Sequence, residues 1–236
     1  MNLLLEGLWE ALYLIRTFDK QVLDAALRSC WITSLAILLA ASIGIPVGYF
    51  IGSGKGMWFR LVEQLFRSAI ALPTVFVGLI CYMLLSRQGV AGPLDLLYTP
   101  WAIVMGEVIL ALPIIVSMSA VAIRSLDERI VETAATLGAS RWRQAQTMVY
   151  ESRAGVVLAI VTAFGRCVTE LGIAMMVGGN IKSQTRTLAT ATALETGQGE
   201  FARALAMGVI LLIMALAVTL IIGWLSSLSS KGAATR

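Results

Sequence analysis

The chain has no histidine and only three cysteines among its 236 residues. Histidine is the commonest general base and metal ligand in proteins, so its absence argues against metal centres and against most acid–base enzymes. Cys30, Cys81 and Cys167 show no paired spacing, which argues against a disulfide framework. A glycine-rich phosphate loop followed by lysine is also missing. We therefore predict a non-enzymatic protein without a metal or cofactor, in which another chain would supply any ATP hydrolysis.

Charge is scarce as well. Only 14% of the residues are charged and 58% are hydrophobic, a composition typical of an integral membrane protein. The net charge of +4 is not concentrated on a soluble basic face, which excludes nucleic-acid binding. The lipid bilayer is therefore the first predicted partner.

Long apolar runs predict the spans. A helix that crosses a membrane needs roughly 20 apolar residues. Five runs are candidates: 29–54, 68–86, 96–123, 154–180 and 204–230. The runs are continuous rather than alternating, which favours helices over a barrel. We predict an all-α integral membrane protein with five transmembrane helices.

The amino-terminal residues 1–24 have a different pattern. Apolar side chains recur there at helical spacing, with acidic residues between them. This pattern predicts an amphipathic helix in the membrane interface, with a sixth imperfect span as the alternative. The predicted organisation is this helix, a transmembrane domain at 25–228 and a cytoplasmic tail at 229–236.

Lysine and arginine counts near the span ends predict the orientation. Ten of these residues fall on one side of the five-span topology and seven on the other. The densest cluster lies in the loop 124–153, which we place in the cytoplasm. The amino terminus is then outside and the carboxyl terminus is cytoplasmic.

Three ionisable residues lie at membrane depth: Glu107, Arg166 and Glu170. Charged residues inside a span are costly, so they face protein or water. Arg166 and Glu170 are four residues apart and would share a helix face as an ion pair. One hypothesis is a structural salt bridge. The second is a lining of a path for anions, and the third is a proton relay.

Small residues crowd the end of the fourth run and predict a tight, unwound exit at 175–180. Asn180 closes this segment, and Lys182 and Arg186 follow it. Two cations at an outer mouth would raise the local concentration of an anionic substrate. Together with Arg166 and Glu170, these residues form the predicted translocation path.

The loop 124–153 is longer than a connection between spans requires. It holds five arginines and four acids, with one glycine between two helix-forming stretches. One hypothesis is a docking surface for a partner protein. The alternative is an interfacial helix whose arginines bind anionic lipid.

This loop resembles the cytoplasmic coupling motif E-A-A-x-x-x-G of ATP-binding-cassette importer permeases. Glu132, Ala134 and Gly138 match the motif, whereas Thr133 replaces an alanine. The motif continues with I-x-L-P, where this chain has Met148, Tyr150 and Glu151. Further segments are similar to the sulfate, molybdate and tungstate branch: 71–75 with Gly78, 132–143, 170–172 and 176–181. The last of these segments most resembles tungstate permeases.

The resemblance implies a homodimeric permease in a prokaryotic cytoplasmic (inner) membrane. Two ATPase subunits would grip the coupling segment at Glu132, Ala134, Gly138 and Arg141. An extracytoplasmic oxyanion-binding protein would deliver tungstate or molybdate. Import of sulfate or another solute is the alternative substrate hypothesis, and a non-transporting membrane scaffold is the alternative from another class.

Overall fold

The computed structural model describes residues 3–17 and 19–234, with side chains for 5–17, 19–127 and 129–224. Every regular element within these residues is helical, which confirms the predicted all-α class. The α-helices are α1 (Leu3–Arg16), α2 (Lys20–Ser53), α3 (Met57–Ala69), α4 (Thr74–Leu85), α5 (Pro100–Arg124), α6 (Glu128–Thr136), α7 (Arg141–Glu151), α8 (Arg153–Val168), α9 (Gly172–Gly178), α10 (Leu188–Gly197) and α11 (Phe201–Ala234). A short 3₁₀ turn occupies Gly92–Leu94.

Three of the described helices are long and apolar enough to cross a membrane: α2, α5 and α11. The pairs α3–α4 and α7–α8 are each bent at a short break, and counting each pair as one span gives up to five. The predicted run 68–86 is therefore interrupted rather than straight, and the run 154–180 is interrupted between α8 and α9. Proline explains the first interruption. The ring of Pro73 prevents α3 from continuing, and Pro73 itself has an extended conformation directly before α4.

The candidate spans differ in how much protein surrounds them. In its most apolar window α5 is 72% buried, whereas the corresponding window of α11 is only 11% buried. Large apolar side chains are exposed on the described part of α11, among them Leu212, Leu216 and Leu220. A helix of this kind satisfies its apolar surface with lipid or with another chain.

The chain divides into two compact units. The first comprises Met1–Ala36, Pro73–Ile109 and Phe164–Thr219. The second comprises Ile37–Leu72, Leu110–Ala163 and Leu220–Arg236. Each unit therefore combines segments that are distant in sequence.

A face of small residues on α1 packs into the first unit. Ala11 and Leu14 are buried in a cluster with residues of α2, α10 and α11. A Cβ at Gly7 would lie 2.5 Å from Leu205, so only glycine allows this approach. The remaining described apolar side chains of α1 are exposed: Leu5, Leu8, Trp9, Leu12, Tyr13 and Ile15. A helix is present within the predicted segment 1–24, but it ends at Arg16 and α2 begins at Lys20. Its amphipathic, interfacial character stays a prediction.

Glycines on α2 bring it close to α5 in the second unit. Gly44, Gly48 and Gly52 are spaced by four and share one face. A Cβ on Gly48 would lie 2.9 Å from the carbonyl oxygen of Val116, and one on Gly52 would lie 2.6 Å from that of Ala120. Small residues at this spacing let membrane helices pack closely.

A buried carboxylate joins three helices of the second unit. Glu63 on α3 is 8% exposed and forms an ion pair with Arg124 at the end of α5. Its other oxygen lies 3.3 Å from Arg67. Arg124 also donates to the carbonyl oxygen of Ile51 at 3.0 Å. Glu63 thus stabilises the packing of α3 against the ends of α2 and α5.

The cytoplasmic tail predicted at 229–236 stays a prediction. Helix α11 continues to Ala234, so the backbone of 229–234 extends the helix. Residues 235–236 and the side chains of the predicted tail 229–236 lie outside the described residues.

Candidate functional site

The predicted coupling segment folds as two capped helices with a glycine turn between them. The side chain of Asp127 accepts a hydrogen bond from Arg129 N at 2.9 Å and caps α6. Ser140 caps α7 through Arg143 N at 3.4 Å. Between the helices, Gly138 has a φ of +77°, a left-handed conformation that favours glycine at helix ends. The break that the sequence predicts is therefore present.

Backbone hydrogen bonds hold this turn. Gly138 N donates to the Ala135 carbonyl at 3.0 Å, and Ala139 N donates to the Ala134 carbonyl at 2.9 Å. No described atom lies within 4 Å of a Cβ built at Gly138. The turn is consequently open on its outer side, and Leu137 beside it is 82% exposed.

A groove of about 780 Å³ runs between α6 and α7. Ala134, Gly138, Ala139 and Ser140 form its small-residue part. Short side chains leave the backbone accessible, so a partner's side chains can enter without displacing anything. The groove has the shape expected of a docking surface.

The structure separates the four predicted coupling residues. Ala134 and Gly138 share the groove between α6 and α7. Glu132 instead lines a cavity of about 610 Å³ together with Lys55 and Arg124. Arg141 lines a third cavity, of about 1210 Å³, along α2, α7 and α8. The four thus line three cavities, and the cavity of Arg141 adjoins that of Gly138 through the shared residues Arg143 and Thr147.

The predicted ion pair of the fourth run is present. Arg166 Nη1 lies 2.9 Å from Glu170 Oε2. The side chain of Glu170 is 3% exposed, whereas that of Arg166 is 44% exposed. The pair thus has one buried partner and one that reaches the surface of the chain, beside the exposed Thr169.

Glu170 also organises the start of α9. Its Oε1 accepts a hydrogen bond from Ile173 N at 3.3 Å. A Cβ at Gly172 would lie 3.1 Å from Glu170 Oε1 and 3.1 Å from Thr74 Oγ1. The carboxylate, the first residue of α4 and the first residue of α9 therefore meet at one point.

Helix α4 packs on α9 beyond this point. A Cβ at Gly78 would lie 3.2 Å from Ile173 Cα and 3.3 Å from the Gly172 carbonyl oxygen. Two segments that resemble importer permeases, 71–75 with Gly78 and 170–172, are thus in contact through glycines. Sequence alone identified both segments and did not indicate that they touch.

A second buried carboxylate lies nearby. Glu107 is 3% exposed, and its backbone carbonyl accepts a weak hydrogen bond from Cys167 Sγ at 3.7 Å. Its Oε2 has no hydrogen-bond partner among the described residues. Glu107 is the third intramembrane charge of the sequence, and Arg166 pairs with Glu170 rather than with it.

The segment after α9 is an ordered loop. Helix α9 persists to Gly178, and the left-handed turn follows at Gly179 and Asn180, with φ of 68° and 50°. The predicted unwound exit is therefore shorter than 175–180. Thr185 Oγ1 donates to the Gly178 carbonyl at 2.5 Å and accepts from Ile181 N at 2.9 Å.

Arg186 and Asn180 are held together in this loop. Arg186 Nε donates to Asn180 Oδ1 at 3.1 Å, and Arg28 on α2 donates to the Arg186 carbonyl at 3.0 Å. Lys182 is exposed. The five predicted path residues therefore form two hydrogen-bonded pairs and one exposed cation. Sequence reasoning missed Arg28, because its partner is 158 residues away.

The described residues contain no candidate metal site. Among the described residues, no three of the Asp, Glu and Cys side chains come together in an arrangement that could hold a metal ion. Each cysteine with a described side chain is free.

Comparison with known proteins identifies the family. The family described as "Binding-protein-dependent transport system inner membrane component" matches residues 44–231. The chain belongs to this family. It is thus an integral inner-membrane permease component with several apolar helices.

Curated relatives cover nearly the whole chain. The tungstate uptake system permease protein TupB of Peptoclostridium acidaminophilum is 32% identical over 94% of this chain and 97% of its own length. The protein of the same name from Campylobacter jejuni is 35% identical, over 94% of this chain and 92% of its own. The molybdenum transport system permease protein ModB of Escherichia coli is 28% identical, with coverage of 89% and 96%.

Solved structures support the fold. A bacterial alginate ABC transporter crystallised with a pentasaccharide-bound periplasmic protein contains a chain that matches with a TM-score of 0.72 at 16% identity, covering 91% of this chain and 81% of that one. An inward-facing MetNI methionine ABC transporter gives 0.70 at 16% identity, with coverage of 92% and 97%. At this identity the likeness concerns the fold alone.

Proposed function

We propose that this chain is the membrane-spanning subunit of an ATP-driven importer of tungstate or molybdate. The observation that carries the proposal is the alignment with two tungstate uptake permeases over 94% of this chain. The molybdenum permease relative, at 28% identity, favours the second oxyanion. Both substrates are tetrahedral dianions of similar chemistry.

In the proposed assembly, two copies of the chain line one path and each binds an ATPase subunit. The groove between α6 and α7 supports this role, because Ala134 and Gly138 lie there on an open small-residue surface. Glu132 and Arg141 would contact the ATPase at the edges of that surface. ATP hydrolysis would take place in the ATPase subunits, so this chain is not an enzyme.

The proposed path passes Arg166. Its partly exposed guanidinium is held by a buried carboxylate, so the cation keeps a fixed position while its far side stays accessible. A charge at membrane depth faces protein or water rather than lipid. An anion passing this point would meet a hydrogen-bond donor whose net charge is already partly neutralised, which favours transit over tight binding.

The proposed outer entrance is the loop at 179–186. Asn180 and Arg186 stabilise its shape, and Lys182 presents the exposed charge. An extracytoplasmic binding protein would release the oxyanion there. In this topology the segment 124–153 and the carboxyl terminus are cytoplasmic, the amino terminus is outside, and α1 lies in the interface.

Transport would follow from alternating access. Closure of the ATPase dimer on ATP would draw the two α6–α7 segments together and switch the path from inward-facing to outward-facing. Such a switch needs two packings close in energy and a ligand that prefers one of them.

The deciding experiment uses the permease purified with its ATPase and binding protein. ATP hydrolysis is measured with tungstate, molybdate and sulfate, each loaded on the binding protein. We expect stimulation by tungstate or molybdate at concentrations where sulfate has no effect. Stimulation by sulfate alone, or by none of the three, would contradict the proposal.

A further inference from the structure

A large groove in the second unit has no occupant in the proposed transport cycle, although Arg141, which lines it, is also a proposed ATPase contact. It has a volume of about 1210 Å³ and lies along the carboxyl-terminal half of α2, α7 and the start of α8. Its apolar side includes Ile45 and Pro46 of α2 with Val156 and Val157 of α8. This side belongs to helices that form candidate spans or parts of them, at the level where α7 joins α8.

Three arginines line the other side: Arg141, Arg143 and Arg153. None of the described residues that line the groove carries a carboxylate. Three like charges in one groove repel each other unless an anion compensates them. The occupant should therefore be anionic.

Arg153 is held in place and has an unused hydrogen-bond donor for such a ligand. Its Nη1 donates to the Tyr150 carbonyl at 3.0 Å, and its guanidinium lies 4.5 Å from the centroid of the Tyr150 ring. Its Nε is buried and has no hydrogen-bond partner among the described residues. A buried donor without a partner is costly, and an acceptor oxygen from a ligand would remove that cost.

Aromatic residues mark the level of the groove in the bilayer. Trp142 is 72% exposed and Tyr150 is 54% exposed, and both line the groove together with Tyr49. Exposed Trp and Tyr concentrate at the headgroup level of membranes. The groove thus has a cationic, aromatic part next to an apolar part.

We propose that this groove binds one anionic phospholipid, with the phosphate on Arg153 and its neighbouring arginines and the acyl chains along α2 and α8. Basic pockets between membrane helices on the cytoplasmic side bind acidic headgroups in this way. A free oxyanion has the same tetrahedral shape and charge, but it has no apolar group to contact Ile45 and Val157. The lipid accounts for both parts of the groove.

The test measures the lipid retained by the full permease–ATPase complex in nanodiscs of phosphatidylglycerol and phosphatidylcholine. Arg153→Gln is the test variant, because Arg141 is also a proposed ATPase contact. Arg60→Gln, an exposed arginine in a different cavity, is the matched control. Native mass spectrometry counts bound phosphatidylglycerol, a readout that requires no transport and is therefore independent of the proposed substrate.

We expect Arg153→Gln to weaken phosphatidylglycerol retention roughly fivefold, the effect of one interfacial cation. Arg153→Lys should fall between Arg153→Gln and the wild type, because the charge remains while the planar fork is lost. Arg60→Gln should retain lipid as the wild type does. Equal retention in Arg153→Gln and the wild type would overturn the proposal.

A second measurement leaves Arg153 in place, in case Arg153→Gln does not fold. A photoreactive phosphatidylglycerol should label peptides containing 45–49 or 142–157. Three outcomes contradict the proposal: labelling confined to other segments, displacement of the lipid by dissolved molybdate, and cross-linking of a cysteine at Val157 to the ATPase or a second copy. The second identifies a free-oxyanion site, and the third identifies a protein interface.

Discussion

The α6–α7 segment and the contact of α4 with α9 use glycine in opposite ways. At Gly138 the space around a Cβ is empty and the constraint is the backbone, with φ at +77°. At Gly78 the constraint is the neighbour, because a Cβ would lie 3.2 Å from Ile173 Cα. The first glycine shapes a surface that another protein can cover, and the second closes an interior. Substitutions at the two positions should therefore fail in different measurements.

The largest expected effect is on coupling at Gly138. Gly138→Trp places a bulky side chain on the open side of the turn, where it would obstruct the ATPase rather than this chain. We expect substrate-stimulated ATP hydrolysis to fall about tenfold or more, equivalent to roughly 1.4 kcal/mol at the interface. Membrane insertion should be unchanged, and the melting temperature should fall only modestly, because a residue with a Cβ at this left-handed φ costs about 1–2 kcal/mol.

Gly138→Asn is the control for Gly138→Trp, because asparagine tolerates the left-handed conformation without the bulk. It should keep most of the stimulated hydrolysis. Transport at the wild-type rate by Gly138→Trp would show that the turn is not part of the ATPase contact.

The next effect separates the structural and path hypotheses for Arg166 and Glu170. If the pair is structural, Arg166→Met leaves Glu170 buried and unpaired, and the melting temperature falls. The loss should stay below the roughly 3–5 kcal/mol of a fully buried pair, because Arg166 is 44% exposed. Glu170→Gln should also destabilise the protein, and the double variant should recover much of the loss.

If Arg166 lines the path, Arg166→Met should fold normally and import the anion poorly, without rescue by Glu170→Gln. Melting temperature and uptake measured on the same three variants distinguish the two hypotheses. An Arg166→Met protein that is both stable and fully active would exclude both.

A smaller effect tests the interior glycine. Gly78→Val adds side-chain volume where α4 meets α9, and overpacking of this kind costs about 1–3 kcal/mol. We expect a lower melting temperature for the permease complex. Gly197→Ala is the matched control, because a Cβ there meets nothing within 4 Å. If Gly78→Val has the same melting temperature as the wild type, the α4–α9 contact is looser than the structure indicates.

The last prediction concerns sidedness and requires almost no change in stability. With Cys30, Cys81 and Cys167 replaced, a cysteine at Ser140 should react only with reagents applied from the cytoplasm. A cysteine at Ser183 should react only from outside. Reaction of both from the same side would refute the predicted topology between them.

Much of the α6–α7 segment was predictable because its structure is local. Asp127 and Ser140 cap the helices that follow them, and Gly138 occupies the one left-handed position between them. Each of these choices depends on neighbours within a few residues. The pairing of Arg166 with Glu170 was predictable for the same reason, since four residues make one helical turn.

The remaining contacts joined distant parts of the chain and had no local signal. Arg28 holds the carbonyl of Arg186, and Glu63 pairs with Arg124, across separations of 158 and 61 residues. The four-residue spacing of Gly44, Gly48 and Gly52 was a readable signal for a close helix contact, although it does not name α5 as the partner. Sequence spacing indicates which face of a helix carries small residues, but it does not indicate which helix packs against that face.

The sequence by itself determined that this protein is helical, lies in a membrane and carries a surface segment with a glycine turn. Apolar run length, capping residues and glycine conformation act within one helix or turn, so they can be read in order along the chain. Only the tertiary structure decided that Glu132 lines a different cavity from Gly138, and that Thr74, Glu170 and Gly172 meet at one point. Those arrangements depend on how helices rotate and approach one another, which packing determines after the helices have formed.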